Sequence, residues 1–381
     1  MPHHFVTQQR EFEDIVEDVA AESRFGLDTE FETERSYFPK LALIQIAWRQ
    51  QVALIDPLAV DCRPLRKVLQ SEALAVIHAA SQDLVVLTRA CGCVPTKLFD
   101  PQLCASFLGY SQPGLSLLVK DFLGIQLDKG DQLANWSRRP LSTREQNYAT
   151  ADVVHLLELQ EKIVAALRRK HREQWALEEN EVLRCKSYGP TDPETAWWKI
   201  RGKGKVPRKN YGVAQAVFSW RETTAQERNR PIRSVLPDLP LQSIVQRPPL
   251  NRGQLDRVRG MDRRMHGDAE HILAAVQRGL RMEPEELRLP PEQPRDERRD
   301  EQLVALCLAW TGQVGDALEL DKRILGTRDD VKTFLGNRPS RLDRGWRREL
   351  LGNSLQEIRE GEVGVIYREG KLQLVKLGAN S

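Results

Sequence analysis

The chain has 381 residues, 40% hydrophobic and 29% charged, which is more than one average domain needs and enough apolar material for two or three cores. A formal net charge of +3 is too close to balance to point to a partner. No apolar run reaches membrane-spanning length, Met1-Pro2-His3-His4 begins no signal peptide, and the six cysteines are scattered; together these predict a cytoplasmic protein with no membrane partner.

Residues 1–22 read as a short strand and an acidic helix, Gln8 to Glu22. Strands follow near 24–31, 40–48 and 51–55, and their short connections predict antiparallel pairing. A helix at Arg63–Gln70, a strand at Leu74–His78, a helix at Asp83–Ala90 with Ser81 as its N-cap, and a strand near Lys97–Phe99 then alternate. Cys91-Gly92-Cys93 has the wrong spacing for zinc or redox motifs and reads as a helix ending at a left-handed glycine. Helices at Pro101–Leu108 and Gly114–Phe122 precede a long helical stretch from about Ser142 to Lys170. An antiparallel ribbon followed by α/β units predicts an α/β domain with a mixed sheet flanked by helices. It should end near residue 190, where the turn residues of Ser187–Glu194 collect.

Past that boundary, Trp197–Lys205 is basic and aromatic, compatible with nucleic acid or with a connector packed by its tryptophans. Helices at Tyr211–Glu227, Pro240–Gln246 (proline in the first turn), Leu255–Val258 and His271–Arg278 make a mainly helical region. A proline-rich linker, Leu289–Asp300, leads to helices at Leu303–Thr311, Arg328–Leu335 and Trp346–Leu351. A hairpin over Val363–Val375 should turn at Glu369-Gly370. Domains are therefore expected at 1–190, 207–288 and 296–381, with no catalytic constellation and no P-loop after residue 190.

The candidate chemistry lies in the first domain. Asp28 and Glu30 are two apart in an apolar strand, so they share a face, and two adjacent carboxylates repel unless a cation lies between them. Alone, such a pair more often marks the ordinary surface acids of a solvated edge strand. Asp83 falls in the first turn of a helix leaving a strand, where the helix dipole alone favours an acid. Tyr148 and Asp152 are four apart on one helix face that Leu156 and Leu159 continue into the core. An aspartate beside a buried stripe is paired or ligates a metal. Just before this helix, Trp136, Arg138 and Arg139 combine an indole with two guanidinium groups, suited to stacked bases and phosphates.

In this order, Asp28-x-Glu30, Asp83 and Tyr148-x-x-x-Asp152 resemble the tyrosine branch of the DEDD exonucleases. Tyr37-Phe38-Pro39-Lys40-Leu41, Leu43-Ile44-Gln45, His78-Ala79-Ala80 and Arg139-Pro140-Leu141-Ser142 narrow the resemblance to the ribonuclease D family, over essentially the whole chain. The resemblance implies a ribonuclease H-like fold and a 3′→5′ exoribonuclease that releases nucleoside 5′-monophosphates from RNA 3′ ends such as those of tRNA precursors; a monomer is the separate expectation. Two divalent ions, Mg²⁺ or Mn²⁺, suit an all-oxygen site and an in-line attack by water. Asp28 would be shared by both ions, Glu30 and Asp152 would complete the water side, and Asp83 would hold the other ion through water. Tyr148 would orient the attacking water, because a phenol pKa of about 10 argues against its acting as the base. His155 is passed over as a base because Tyr148 already occupies the face beside Asp152. The alternatives are a 3′→5′ DNA exonuclease and a catalytically inactive RNA-binding scaffold. The lack of a polymerase or helicase domain weighs against the first, the complete acidic set against the second.

Further along, Trp220-Arg221-Glu222, Gln226-Glu227-Arg228 and Arg257-Val258-Arg259-Gly260 resemble the helicase-and-RNase-D C-terminal (HRDC) domain. Its arginines from Arg228 to Arg264 predict an RNA-holding face. The resemblance implies a second, weakly similar HRDC-like domain at 296–381.

Overall fold

A computed structural model describes residues 3–127, 134–200, 206–290 and 298–377, with only the backbone of residues 263, 264, 266 and 298–300. In chain order the first elements are β1 (His4–Val6), α1 (Gln9–Ala20), β2 (Arg24–Glu32), β3 (Lys40–Trp48), β4 (Gln51–Ile55), α2 (Arg66–Leu69), β5 (Leu74–Val76), α3 (Ser81–Cys91) and β6 (Lys97–Phe99). Helices α4 (Pro101–Ala105), α5 (Leu115–Leu123), α6 (Thr143–Val154), α7 (Leu156–Arg169) and α8 (Glu173–Arg184) follow. The long predicted helix is thus two, broken at His155.

The strands form one sheet in the order β1-β4-β3-β2-β5-β6. β3 and β4 pair antiparallel, whereas β1–β4, β2–β5 and β5–β6 are parallel, the mixed sheet expected from the element order. Residues Ala42 to Trp48 of β3 are all buried and, Gln45 apart, apolar, as a strand covered on both faces needs. Helix α3 ends at Gly92, φ 73°, whose N–H reaches Thr88 O, as its sequence predicts.

The chain divides into two compact units: Met1–Thr29 with Leu43–Lys186 and Pro294–Ser381, and Glu30–Ala42 with Ser187–Gln293. In the second unit α9 (Tyr211–Glu227), α10 (Ile232–Val235), α11 (Asp238–Gln246), α12 (Arg252–Leu255) and α13 (Ala269–Leu280) enclose a core of Val213, Val217, Leu241, Ile244, Leu255, Ile272 and Val276. α9 and α13 touch backbone to backbone: a Cβ on Gly212 would lie 2.3 Å from Gly279 O, and one on Gly279 2.6 Å from Gly212 O, so only glycine fits at this crossing. Trp197 is buried and, with Trp198, donates its indole N–H to Arg288 O. This described part of the basic aromatic stretch is a packed connector; residues 201–205 lie outside the described residues, as do 291–297 of the predicted linker.

The C-terminal segment contributes α14 (Arg298–Leu318), α15 (Lys322–Leu325), α16 (Arg328–Leu335), α17 (Gly345–Arg347), α18 (Asn353–Glu360) and the hairpin β7 (Val363–Arg368)–β8 (Lys371–Lys376). The hairpin turns at Glu369-Gly370, both at positive φ, as predicted. This segment shares packing with the first unit. Trp346 stacks on Trp175 at 5.4 Å and meets Phe107 edge-on at 5.3 Å. Buried Arg172 donates to the carbonyls of Phe107 (2.7 Å), Leu318 (2.5 Å) and Glu319 (3.3 Å), and Arg347 pairs with Glu179. Among the described residues no single helix is long and apolar enough to cross a membrane.

Candidate active site

Gly26 sets the approach of strand to helix. A Cβ there would meet Leu156 Cβ at 3.2 Å and Val153 O at 3.3 Å, so a larger residue would push the α6–α7 junction away from β2. Asp28 and Glu30, two and four residues on, share the face Gly26 offers to those helices. α6 begins in a capping box: Ser142 Oγ accepts from the Glu145 N–H (3.2 Å) and Glu145 Oε2 from the Ser142 N–H (2.6 Å). That start sets the helix phase, which carries Tyr148 and Asp152 on one face. Carboxylate oxygens of Asp28, Glu30 and Asp152 lie within 4.8 Å of one another.

Three carboxylates this close offer only hard oxygen donors, the donor chemistry of a divalent cation site. Burial pushes Asp152 up to about 7, and the Tyr148 hydroxyl, which donates to its carboxylate, offsets part of that rise. From a carboxyl so poised a cation readily displaces the proton to solvent near neutral pH.

Asp83 stands outside this trio. Its Oδ1 accepts from the Thr29 N–H (3.1 Å) and Thr29 Oγ1 (2.6 Å), so it grips the residue between the two strand acids, and burial raises it to about 7. Its helix lacks the expected Ser81 cap, because Ser81 is already helical. The turn before it is held from a distance: Asp100 accepts from the N–H groups of Ala79 (2.9 Å) and Ala80 (3.1 Å) while capping α4 through Gln102 N–H (2.9 Å). His78 is held well below its ordinary value, to about 4, by burial that a hydrogen bond to Pro113 only partly offsets, so it is neutral.

The three residues expected to touch RNA separate. Trp136 is only 4% exposed and packs on Tyr148, ring centroids 6.1 Å apart, so its ring has no open face for a base. Arg139 forks onto Asp56, Nε to Oδ2 at 2.6 Å and Nη2 to Oδ1 at 2.7 Å, and donates to Trp136 O at 2.6 Å. Burial would raise Asp56, but its bonds from Arg139 and the Leu58 N–H hold it below the usual carboxylate range. Arg138 alone of the three is exposed. Asp56, Asp100 and Thr29 were not singled out from sequence; an aspartate directly after the apolar run of β4 was the available signal for Asp56.

Residues 3–168 match the family model described as 3′-5′ exonuclease, and residues 210–276 match the HRDC domain. Ribonuclease D of Zymomonas mobilis is 34% identical, with 92% of each chain aligned. Ribonuclease D of Sphingobium indicum is 31% identical over 98% of this chain and 99% of its own. The crystal structure of Escherichia coli RNase D, described as an exoribonuclease involved in structured RNA processing, superposes with a TM-score of 0.87 at 26% identity, covering 95% of this chain and 99% of that one. The catalytic core of RRP6 from Trypanosoma brucei, 22% identical with a TM-score of 0.58, shares the fold over 73% of this chain and 80% of its own. Fold and matches define a 3′→5′ exonuclease of the ribonuclease H-like class followed by an HRDC domain. At this identity and coverage the chain belongs to the ribonuclease D family. The family implies divalent metal ions and an RNA substrate, and the clustered carboxylates fit the former.

Proposed function

We propose that this 3′→5′ exoribonuclease trims the 3′ ends of tRNA precursors and other small structured RNAs in the cytoplasm, as a monomer, releasing nucleoside 5′-monophosphates. The observation that carries the reading is the convergence of Asp28, Glu30 and Asp152 within 4.8 Å on the strand and helix where the family motif falls. Two ions, Mg²⁺ or Mn²⁺, when bound, would supply an activated water and charge stabilisation for the departing 3′ oxygen. Asp28, Glu30 and Asp152 would hold them directly, with Asp83 contributing through water. Thr29 fixes Asp83 by two hydrogen bonds and so limits how far it can swing. Tyr148, pressed by Trp136 and bonded to Asp152, presents its hydroxyl beside the acids, from where it would orient the attacking water. Arg138, exposed just before α6, is the remaining candidate for a phosphate contact. Along the chain the working division remains an exonuclease domain at 1–190, an HRDC domain at 207–288 and a second HRDC-like segment at 296–381.

The test compares 3′-extended tRNA, unstructured RNA and single-stranded DNA as substrates, each with Mg²⁺ and with Mn²⁺, resolving the products by size. Stepwise mononucleotide release from tRNA ends is expected. Preferential digestion of DNA would overturn the substrate assignment.

A further inference from the structure

We propose that Tyr37 is a positioning residue for Glu30: by fastening the loop after β2 to the second half of α9, it fixes the end of the strand that carries the acid. The inference rests on the reading of Glu30 as a metal ligand given above. Two motifs that the exonuclease chemistry leaves unused meet here. Tyr37 and Phe38 come from the loop between β2 and β3, and Glu222 and Gln226 from α9. All four lie in one compact unit, since Glu30–Ala42 groups with Ser187–Gln293.

The Tyr37 hydroxyl uses its full bonding capacity. It donates to the Glu222 carboxylate and accepts from Gln226 Nε2 at 3.2 Å and from the Thr191 N–H at 3.3 Å. Gln226 Nε2 in turn donates to Thr191 O at 2.8 Å. Glu222 and Gln226, four apart, share one face of α9. Just past the helix, Asn229, at φ 46°, accepts from the Phe38 N–H at 3.0 Å through Oδ1. The Phe38 ring meets that of Tyr37 edge-on at 4.8 Å. Burial, and then the bond to Glu222, push the phenol above its ordinary value, so it keeps its proton and its role as donor.

The energetics make this an anchor. Glu222 is only 3% exposed, and its hydrogen-bond donor among the described residues is the Tyr37 hydroxyl. A buried carboxylate left without a donor costs far more than an exposed ion pair gains, so the loop stays fastened. The connection to the site is short. β2 ends at Glu32, and Thr33, Glu34, Arg35 and Ser36 alone join it to Tyr37. On the other side only Pro39 separates Phe38 from β3. A loop this short, pinned at its tip, leaves the end of β2 little room to turn. Hydrogen bonds outside the coordination sphere orient metal-binding carboxylates in this way.

The full-length variant Tyr37→Phe tests this, because it keeps the ring and removes every bond of the hydroxyl. We expect Mn²⁺ affinity by calorimetry and kcat on a short single-stranded RNA each to fall about tenfold, with KM unchanged. Amide hydrogen exchange over residues 31–38 of the metal-free protein should quicken. In a Glu30→Gln background Tyr37→Phe should cost no further Mn²⁺ affinity, since the acid it places is gone. Tyr37→Phe/Glu222→Gln removes the stranded charge, so melting should recover while kcat stays low. Unchanged kcat and Mn²⁺ affinity in Tyr37→Phe would overturn the proposal. So would recovery of kcat together with melting in the double variant, or an equal loss of Mn²⁺ affinity in both backgrounds. Glu30→Gln with wild-type Mn²⁺ affinity and turnover would instead overturn the ligand reading of Glu30, and the proposal with it.

Discussion

In and behind the acid cluster the key charged groups are half-buried or buried and bonded to neighbours: Asp152 to Tyr148, Asp83 to Thr29, Arg139 to Asp56. In the HRDC module Arg247, Arg257 and Arg259, which line a groove beside α11, stand exposed with no acid partner among the described residues. Catalysis needs groups held to a fraction of an ångström, which burial and second hydrogen bonds supply. Holding a flexible polyanion needs charge at a surface, where each contact is weak and screened by salt. The same residue type thus takes different settings: Arg139 is part of the scaffold, whereas Arg257 stands exposed with no acid partner among the described residues.

The sharpest way to break this contrast is Asp28→Asn. It keeps shape and removes one charge from the trio, so turnover should fall by orders of magnitude with melting temperature unchanged or raised. Normal mononucleotide release by the folded variant would sink the cluster as the catalytic centre.

Trp346→Ala probes the scaffold at a distance. The indole is buried between Trp175 and Phe107, so its loss should cost about 3–5 kcal/mol in urea unfolding. A loss under about 1 kcal/mol would mean that the C-terminal segment adds little to the first unit.

Tyr148→Phe removes one hydroxyl and leaves every acid in place. A loss of roughly tenfold to a thousandfold in kcat is expected, with Mn²⁺ still bound by calorimetry. Loss of Mn²⁺ binding would instead make the tyrosine structural.

The raised Asp152 makes ion binding depend on pH. Below its value of about 7 the carboxyl must lose its proton to solvent before it can bind the cation, so Mn²⁺ affinity should climb about tenfold per pH unit and level off above 7. The sign for stability is opposite: a carboxyl raised by folding contributes most below its unfolded value, ~4, and that contribution is lost as pH rises through 7. The metal-free protein should therefore melt lower at pH 8 than at pH 5 on this account, and Mn²⁺ should recover the difference; a flat affinity profile would contradict the assignment.

The smallest effect separates the two roles of arginine. Arg139→Lys keeps charge and loses the fork onto Asp56. If Arg139 acts through Trp136 on Tyr148, kcat should drop by roughly a few-fold to tenfold with KM unchanged. A rise in KM alone would make it an RNA contact.

Local periodicity alone determined much of this molecule. A repeat of two places Asp28 and Glu30 on one strand face, and a four-residue step places Tyr148 and Asp152 on one helix face. Helix Tyr211–Glu227 and the Glu369-Gly370 turn were likewise legible, because neighbours in sequence decide both. Only the tertiary structure brought Asp152 to the strand, through the space left at Gly26, and raised its affinity for a proton by burial. Only it turned Trp136 inward and engaged Arg139 with Asp56, and it joined the C-terminal segment to the first unit through Trp346 and Arg172. Each of these depends on which distant residue occupies the space beside a side chain, and burial and partnership across the fold have no period to read in sequence.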